Sequence, residues 1–402
     1  MEKRKSLRKS RRKQRRTGPL DLKAVPLPLK IFGVMCVVLG AVALPYIILE
    51  LLASIEQFAL GDLSGTTLSS AVIMVVQVAL SAIFVVFSVF LGIRLLRNKR
   101  RHAALTANTL LVLAISVFLC EIMLRSLNAS AIIFIVFVGV LIALSSFLDP
   151  SLSDERKLQR KLRKMENQIE AKELATQAGR DISGKGYITL NFFNIFWLFI
   201  LSSVFGLLIE TIYHIVMFGI IEDRAGLLFG PFSPIYGFGG LLMTVALNRF
   251  YKKSFVLIFL ASAVIGGAFE YLVSWFLQFS FGITAWDYTG TWLSIDGRTN
   301  GMYMIFWGIL GLAWVKLLLP GMLKLVNRIP WNWRYSVTSV FAVLMIINGA
   351  ATLMAFDFWY SRSAGNIPER PIEQLFANSF SDDYMENRFQ SMTMDPDKAT
   401  RI

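Results

Sequence analysis

Glu210 and His214 stand four residues apart, which places both on one face of a helix, and they interrupt an apolar run from Leu190 to Met217. A second apolar run, Ser254 to Phe281, carries Glu270. Carboxyl and imidazole groups can exchange protons or hold cations. An ionisable side chain at membrane depth costs about 2.5–3.5 kcal/mol on insertion scales, so each is a candidate functional group by default. A structural role fits the same residues: Glu210 and Glu270 can accept hydrogen bonds from a helix end and brace it. His214, one turn from the outer end of its helix, fits a wet or hydrogen-bonded histidine. Glu210 and His214 supply two metal-ligand types, but no HExxH or Cys/His spacing follows. No metal site and no cofactor are therefore expected.

Between the two runs lies Asp223-Arg224-Ala225-Gly226-Leu227-Leu228-Phe229-Gly230-Pro231-Phe232-Ser233-Pro234-Ile235-Tyr236-Gly237-Phe238-Gly239-Gly240. Two prolines and five glycines argue against one continuous helix. Ser233 and Pro234 make a good N-cap and first-turn pair. A helix from Pro234 to Leu247 would be about 21 Å long, too short to cross a bilayer core of about 30 Å. The residues before it must enter the membrane as irregular backbone, which is tolerated only where protein or a water-filled cavity satisfies its polar groups. Counted from Asn194 and Ser254 as inner edges, Glu210 and Glu270 both lie about 24 Å deep, in one layer with the helix start at Pro234. Discontinuous helices whose ends point at a polar site recur in transporters. In the loop from Gly282 to Asn300, Trp286, Tyr288 and Trp292 suit the headgroup level. Asp287 and Arg298, with Arg224, could line an external vestibule.

The elements that carry these residues form an all-α, polytopic integral membrane protein. Of 402 residues, 55% are hydrophobic before the 28 glycines are counted, more than globular chains usually hold. Nine runs have the length of a span: Ile31 to Ala53, Ser70 to Leu96, Ala104 to Leu124, Ala129 to Leu148, Leu190 to Met217, Gly226 to Leu247 (the discontinuous one), Ser254 to Phe281, Met302 to Leu319, and Val337 to Phe356. The net charge of +14 is concentrated at the start, where the first thirty residues hold twelve Lys/Arg against two acidic residues. Beside a span, such a block reads as a cytoplasmic anchor on anionic lipid rather than a nucleic-acid site. Lys and Arg near span ends collect on the same side as that tail, which orients the chain with the N-terminus cytoplasmic, the C-terminus external and the plasma membrane as location. Cys36 and Cys120 both lie in apolar runs and imply neither a disulfide framework nor a zinc site. The first run lacks a small-residue cleavage pattern, so a retained signal anchor is expected.

This divides the chain into a basic cytoplasmic tail (1–30), a four-span membrane part (31–149), a cytoplasmic amphipathic helix and linker (150–186), a four-span core (187–330), a last transmembrane helix (331–356) and an external polar tail (357–402). The amphipathic segment starts on Pro150 and Ser151 with Asp154 in capping-box position, and Leu158, Leu162, Met165 and Ile169 form one stripe. The first four spans, with Glu50 and Glu121 near outer ends, look like scaffold.

Ile209-Glu210, Arg224-x-Gly226, Gly230-Pro231-Phe232-Ser233-Pro234-Ile235-Tyr236-Gly237-Phe238-Gly239, Glu270-Tyr271, Trp286-Asp287-Tyr288 and Gly297-Arg298, in this order, resemble the bacterial putative ABC-transporter permease family called CmpB-like or type IV. The resemblance runs from about Phe192 to Pro320. Ser233 stands where Cys is common in that family, and Asp296 where Asn is common. The resemblance implies a permease, with Glu210, His214, Arg224, Ser233, Tyr236, Glu270, Asp287 and Arg298 as candidates to line a substrate or ion pathway. The chain has no GxxxxGK[ST] phosphate loop, so ATP drive would need a separate cytoplasmic ATPase subunit docking at Asp149 to Lys185 or around Lys252. Membrane lipids are the other partners expected, and a homo-oligomer stays open. Two further functions fit the residues: an enzyme using Glu210, His214 or Glu270 as acid or base on a lipid-linked substrate, and a non-catalytic membrane scaffold. No nucleophile motif accompanies the first of these.

Overall fold

The computed structural model describes residues 25–60, 67–98, 103–125, 129–148, 179–181, 186–329 and 333–401. The basic tail through Lys23 and the amphipathic segment from Pro150 to Ala178 lie outside the described residues. The chain divides into two compact units, residues 1–152 and 153–401.

The first unit holds α1 (Leu27–Leu60), α2 (Leu68–Leu96), α3 (Ala103–Arg125) and α4 (Ala129–Leu148). Its core joins Leu91 and Leu95 of α2 to Ala107, Leu110 and Ala114 of α3 and to Leu141 and Leu144 of α4. Glu121 is more than an end residue of the scaffold. It is buried, accepts a hydrogen bond from the Gln77 amide and lies 3.7 Å from Arg125, so its charge is compensated inside the unit.

The second unit holds α5 (Phe192–Phe218), α6 (Pro234–Leu247), α7 (Phe255–Phe281), β1 (Ile283–Thr284), α8 (Gly301–Ala313), a π-helical turn (Trp314–Leu318), α9 (Leu319–Val326), α10 (Arg334–Ser363), α11 (Pro371–Ser379), α12 (Asp382–Arg388) and β2 (Thr393–Met394). Membrane helices gain little from burying apolar surface against one another, so close packing needs small residues at the contact. That is what brings α5 to α6 and α7 to α8. A methyl group added at Gly206 of α5 would lie 2.2 Å from Tyr236 Cβ, and one at Gly311 of α8 would lie 2.1 Å from the Ser262 hydroxyl of α7.

Among the described residues, seven helices are long and apolar enough to cross a membrane: α1, α2, α3, α5, α7, the stretch Gly301–Val326, and α10. The nine expected runs therefore reduce to seven by this measure, with α4 and α6 as shorter apolar helices. α6 starts at Pro234 on an extended Ser233 and ends at Leu247, as its Ser-Pro and glycine pattern dictates. The Ser233 hydroxyl makes no capping bond; instead the Ser233 N–H donates to the Ser203 carbonyl at 3.2 Å. The eighth run is interrupted as well, by the π turn. Pro320 lacks an N–H and its ring crowds the carbonyl four residues back, and a π turn relieves both. The Leu319 N–H reaches back five residues to the Trp314 carbonyl.

The irregular stretch from Gly226 to Ser233 is tied to several other elements, though Phe229, Gly230 and Pro231 stay exposed. The Gly226 N–H donates to the Phe232 carbonyl at 2.9 Å. From the middle of α10, Thr352 Oγ1 accepts the Leu228 N–H at 3.0 Å. One turn earlier Asn348 accepts the Phe229 N–H at 3.2 Å and donates to the Phe229 carbonyl at 2.8 Å. Arg388 of α12 donates to the Leu227 carbonyl at 2.6 Å and to the Gly230 carbonyl at 2.6 Å, and pairs with Asp223 at 2.6 Å.

The segment after Phe356 is thus folded back onto the unit. β2 pairs antiparallel with β1, Ile283 opposite Met394, and Arg401 pairs with Asp357 near the end of α10. Gly282 ends α7 with φ +66°, and a side chain there would strike the Asp395 carbonyl at 2.1 Å.

Replacing Asn348 by Leu would leave a donor and an acceptor of Phe229 without partners, at about 1–3 kcal/mol for each buried group. The expected outcome is a clear fall in the thermal unfolding midpoint of the full chain in mild detergent. Asn348→Asp, which keeps the acceptor for the Phe229 N–H but sets an oxygen against the Phe229 carbonyl and buries a charge, should fall as well. An unchanged midpoint for Asn348→Leu would show that α10 does not hold this loop.

Candidate functional site

Two acidic centres lie in the second unit. The first is built by α5 and the chain that follows it. Glu210 projects from the C-terminal half of α5, 3.6 Å from Arg224, whose other terminal nitrogen lies 2.6 Å from Glu222. Tyr236, in the first turn of α6, packs against Gly206, one turn before Glu210. The Arg224 Nε is buried without a hydrogen-bond partner. His214 sits one turn beyond Glu210, but its Nδ1 is 3.0 Å from the Glu210 main-chain carbonyl and its ring packs against Tyr213 and Phe218. It is tied to its own helix rather than to the carboxylate.

The second centre is Glu270 of α7, only 5% exposed. Its carboxylate accepts the Tyr288 hydroxyl at 3.0 Å and the Thr299 hydroxyl at 2.9 Å. Bonds to a charged acceptor contribute about 1.5–3 kcal/mol each, enough together to offset the cost of placing a carboxylate here. Glu270 thereby pins the loop 282–300 onto α7. A second attachment runs beside it, from the Tyr271 hydroxyl to Asp296 at 2.7 Å. Burial and the nearby Glu270 carboxylate push the Tyr288 hydroxyl well above the usual phenol range, so it stays a neutral donor. Tyr288 stacks on Tyr303 of α8 with ring centroids 4.5 Å apart.

Glu210 with Arg224 thus makes one polar cluster and Glu270 with Tyr288 and Thr299 another, and Ser233 lies buried at the start of α6. Asp287 and Arg298 are placed differently. Asp287 is exposed and closes its own turn by accepting the Thr289 hydroxyl at 2.6 Å and the Thr289 N–H at 2.8 Å, which hold its carboxyl below the usual range. Arg298 turns back along α7, 3.4 Å from the Ser274 hydroxyl and over the Tyr271 ring. Among the described residues no group of three His, Cys, Asp or Glu side chains is placed to hold a metal ion.

Sequence reasoning passed over Thr299, Tyr303, Asn348, Thr352 and Arg388. The spacing that singled out Glu210 and His214 also marks Asn348 and Thr352, which are four apart in an apolar run. Arg388 carries no such signal, because its partners are main-chain carbonyls about 160 residues earlier.

No curated protein matches the chain, and no solved structure matches it. A family model described as putative ABC-transporter type IV matches residues 197–353, less than half of the chain. The match extends past Pro320, where the resemblance in the sequence motifs ends, and so takes in Asn348 and Thr352 with the loop they hold. The segment 197–353, which contains both acidic centres and the whole of α6, is similar to the putative ABC-transporter type IV family.

Proposed function

We propose that the chain is the permease subunit of a membrane transporter, with its solute path passing the outer start of α6 between Glu210 and Glu270. One observation carries this reading. A helix begins part-way through the second unit, on irregular backbone, with a carboxylate on either side and Arg224 beside one of them. A bracing role alone would account for Glu270, which is fully engaged by the loop, but not for Glu210. Glu210 keeps 21% side-chain exposure in a centre whose arginine has a nitrogen to spare. Discontinuous helices with polar residues at the break are the form such paths commonly take.

The chain carries no phosphate-binding loop, so ATP drive would come from a separate ATPase subunit on the cytoplasmic face. The turn after α6 is a suitable contact. It exposes Arg249, Lys252 and Lys253, and Lys316 of the π turn fixes it by donating to the Tyr251 carbonyl at 2.8 Å. Nine crossings of the plasma membrane follow if α4, 20 residues and about 30 Å long, spans fully and if α6 completes its crossing through the 226–233 stretch. The N-terminus is then cytoplasmic and the segment after α10 external.

In a Cys36→Ser, Cys120→Ser background, a cysteine placed at Asn366 should react with a membrane-impermeant maleimide in intact cells, and one placed at Ser10 should not; the reverse pattern would rule out this topology. For the path itself, Glu210→Gln should abolish complementation of a deletion strain at normal membrane abundance and near-normal thermal stability. Glu270→Gln should lose both function and stability, since an amide cannot serve two hydroxyl donors as the carboxylate does. Full complementation by the double Gln variant would overturn the assignment of the path.

A further inference from the structure

α6 covers only part of the α5 face that carries Glu210. Gly237 of α6 sits so close to Ser203, and Tyr236 so close to Gly206, that neither glycine has room for a side chain. Beyond that contact the face opens step by step: Leu207 is 8% exposed, the Glu210 side chain 21%, Tyr213 38% and Met217 60%. These positions follow the three- and four-residue steps of one helix face. Val216 and Phe218 beside them are exposed as well. α5 is long and apolar enough to cross a membrane, so the uncovered side chains suit acyl chains. Glu210, at the edge where α6 ends, does not.

The carboxylate at that edge belongs to a charged group with an excess of acid. Arg224 stands 3.6 Å from Glu210 and 2.6 Å from Glu222, and the neighbouring Asp223 pairs with Arg388 at 2.6 Å. Three carboxylates against two guanidinium groups leave one negative charge over. The Glu210 to Arg224 contact is longer than a hydrogen bond, whereas the Glu222 contact is short, so Arg224 is held mainly by Glu222. His214 does not offset the excess, because its Nδ1 is turned to the Glu210 main-chain carbonyl. Glu210 and Glu222 both stay partly exposed, at 21% and 29% of their side chains.

We propose that the solute is an amphiphile of net positive charge taken from the bilayer, with its ammonium head at Glu210 and Glu222 and its chain along Tyr213, Val216 and Met217. The inference rests on the reading that Glu210 lies on the transport path. Charge and apolar surface together select this occupant. An ammonium group has three donors and no acceptor, so it can serve both carboxylates at once, and its charge cancels the excess. An anionic head would add to the repulsion already present among the carboxylates. A small hydrophilic cation would satisfy Glu210 and leave the adjoining apolar face without a use. A second copy of the chain would cover that face but would take the unbalanced charge out of water, which is costly.

The test is the thermal unfolding midpoint of the full chain in neutral maltoside micelles doped with dodecylammonium, with dodecyl sulfate, zwitterionic lysophosphatidylethanolamine and methylammonium as controls. Dodecylammonium should raise the midpoint saturably, by about 3 °C or more, as a ligand of the folded state does by mass action. The controls, which lack the net positive charge or the chain, should not. The rise should be lost in Glu210→Gln and reduced in Glu222→Gln, and the second variant keeps the test readable if the first fails to fold. A rise that survives both substitutions, an equal rise with any control, or no rise at all would overturn the assignment. No rise from a chain that runs as a dimer in light scattering would give the face to a second copy instead. Failure here is distinct from failure of the path: if Glu210→Gln abolishes complementation and dodecylammonium has no effect, the path stands and this class of solute falls.

Discussion

Eight residues, Gly226 to Ser233, lead into α6 without helix or strand, so regular structure supplies no partners for their N–H and C=O groups. A backbone polar group left unpaired away from water is costly, and other elements come to this stretch to pair it. Asn348 and Thr352 serve it from α10, Arg388 from α12, and Ser203 from α5. The arrangement of the second unit follows from these attachments. α10 must pass beside the loop, the chain after α10 must fold back far enough to bring in Arg388, and α6 can begin only where the irregular stretch ends.

The placement of α6 in turn positions the chemistry. Its first turn carries Tyr236, which Gly206 admits against α5 because no side chain stands in the way. That brings the start of α6 within one helical turn of Glu210. The two carboxylates are unequal. Glu270 accepts two hydroxyl donors and fixes the loop 282–300, whereas Glu210 is partly exposed and shares its arginine with Glu222. One centre is a fastening, and the other keeps an open edge.

Much of this could be read from residue order. Ser233-Pro234 with the glycines around it marked the start of α6 to the residue, and the apolar runs marked the other long helices. Other features were hidden for physical reasons. Asn348 and Thr352 share the four-residue spacing of Glu210 and His214, but their partners are main-chain groups over a hundred residues away, so the spacing alone did not show what they hold. The π turn at Trp314–Leu318 was visible as Pro320 but resembled a helix end. The fold of the last forty residues depends on pairings such as Thr284 with Thr393 and Arg388 with Leu227, more than a hundred residues apart, which no local pattern encodes.

Hydrogen–deuterium exchange of the full chain in nanodiscs, resolved over residues 226–233, bears most directly on the dependence of the unit on this backbone. The amides of Leu228 and Phe229, held by Thr352 and Asn348, should exchange as slowly as those of α7 and far more slowly than those of the exposed turn 289–293. Exchange of Leu228 and Phe229 at the rate of that turn would contradict the account.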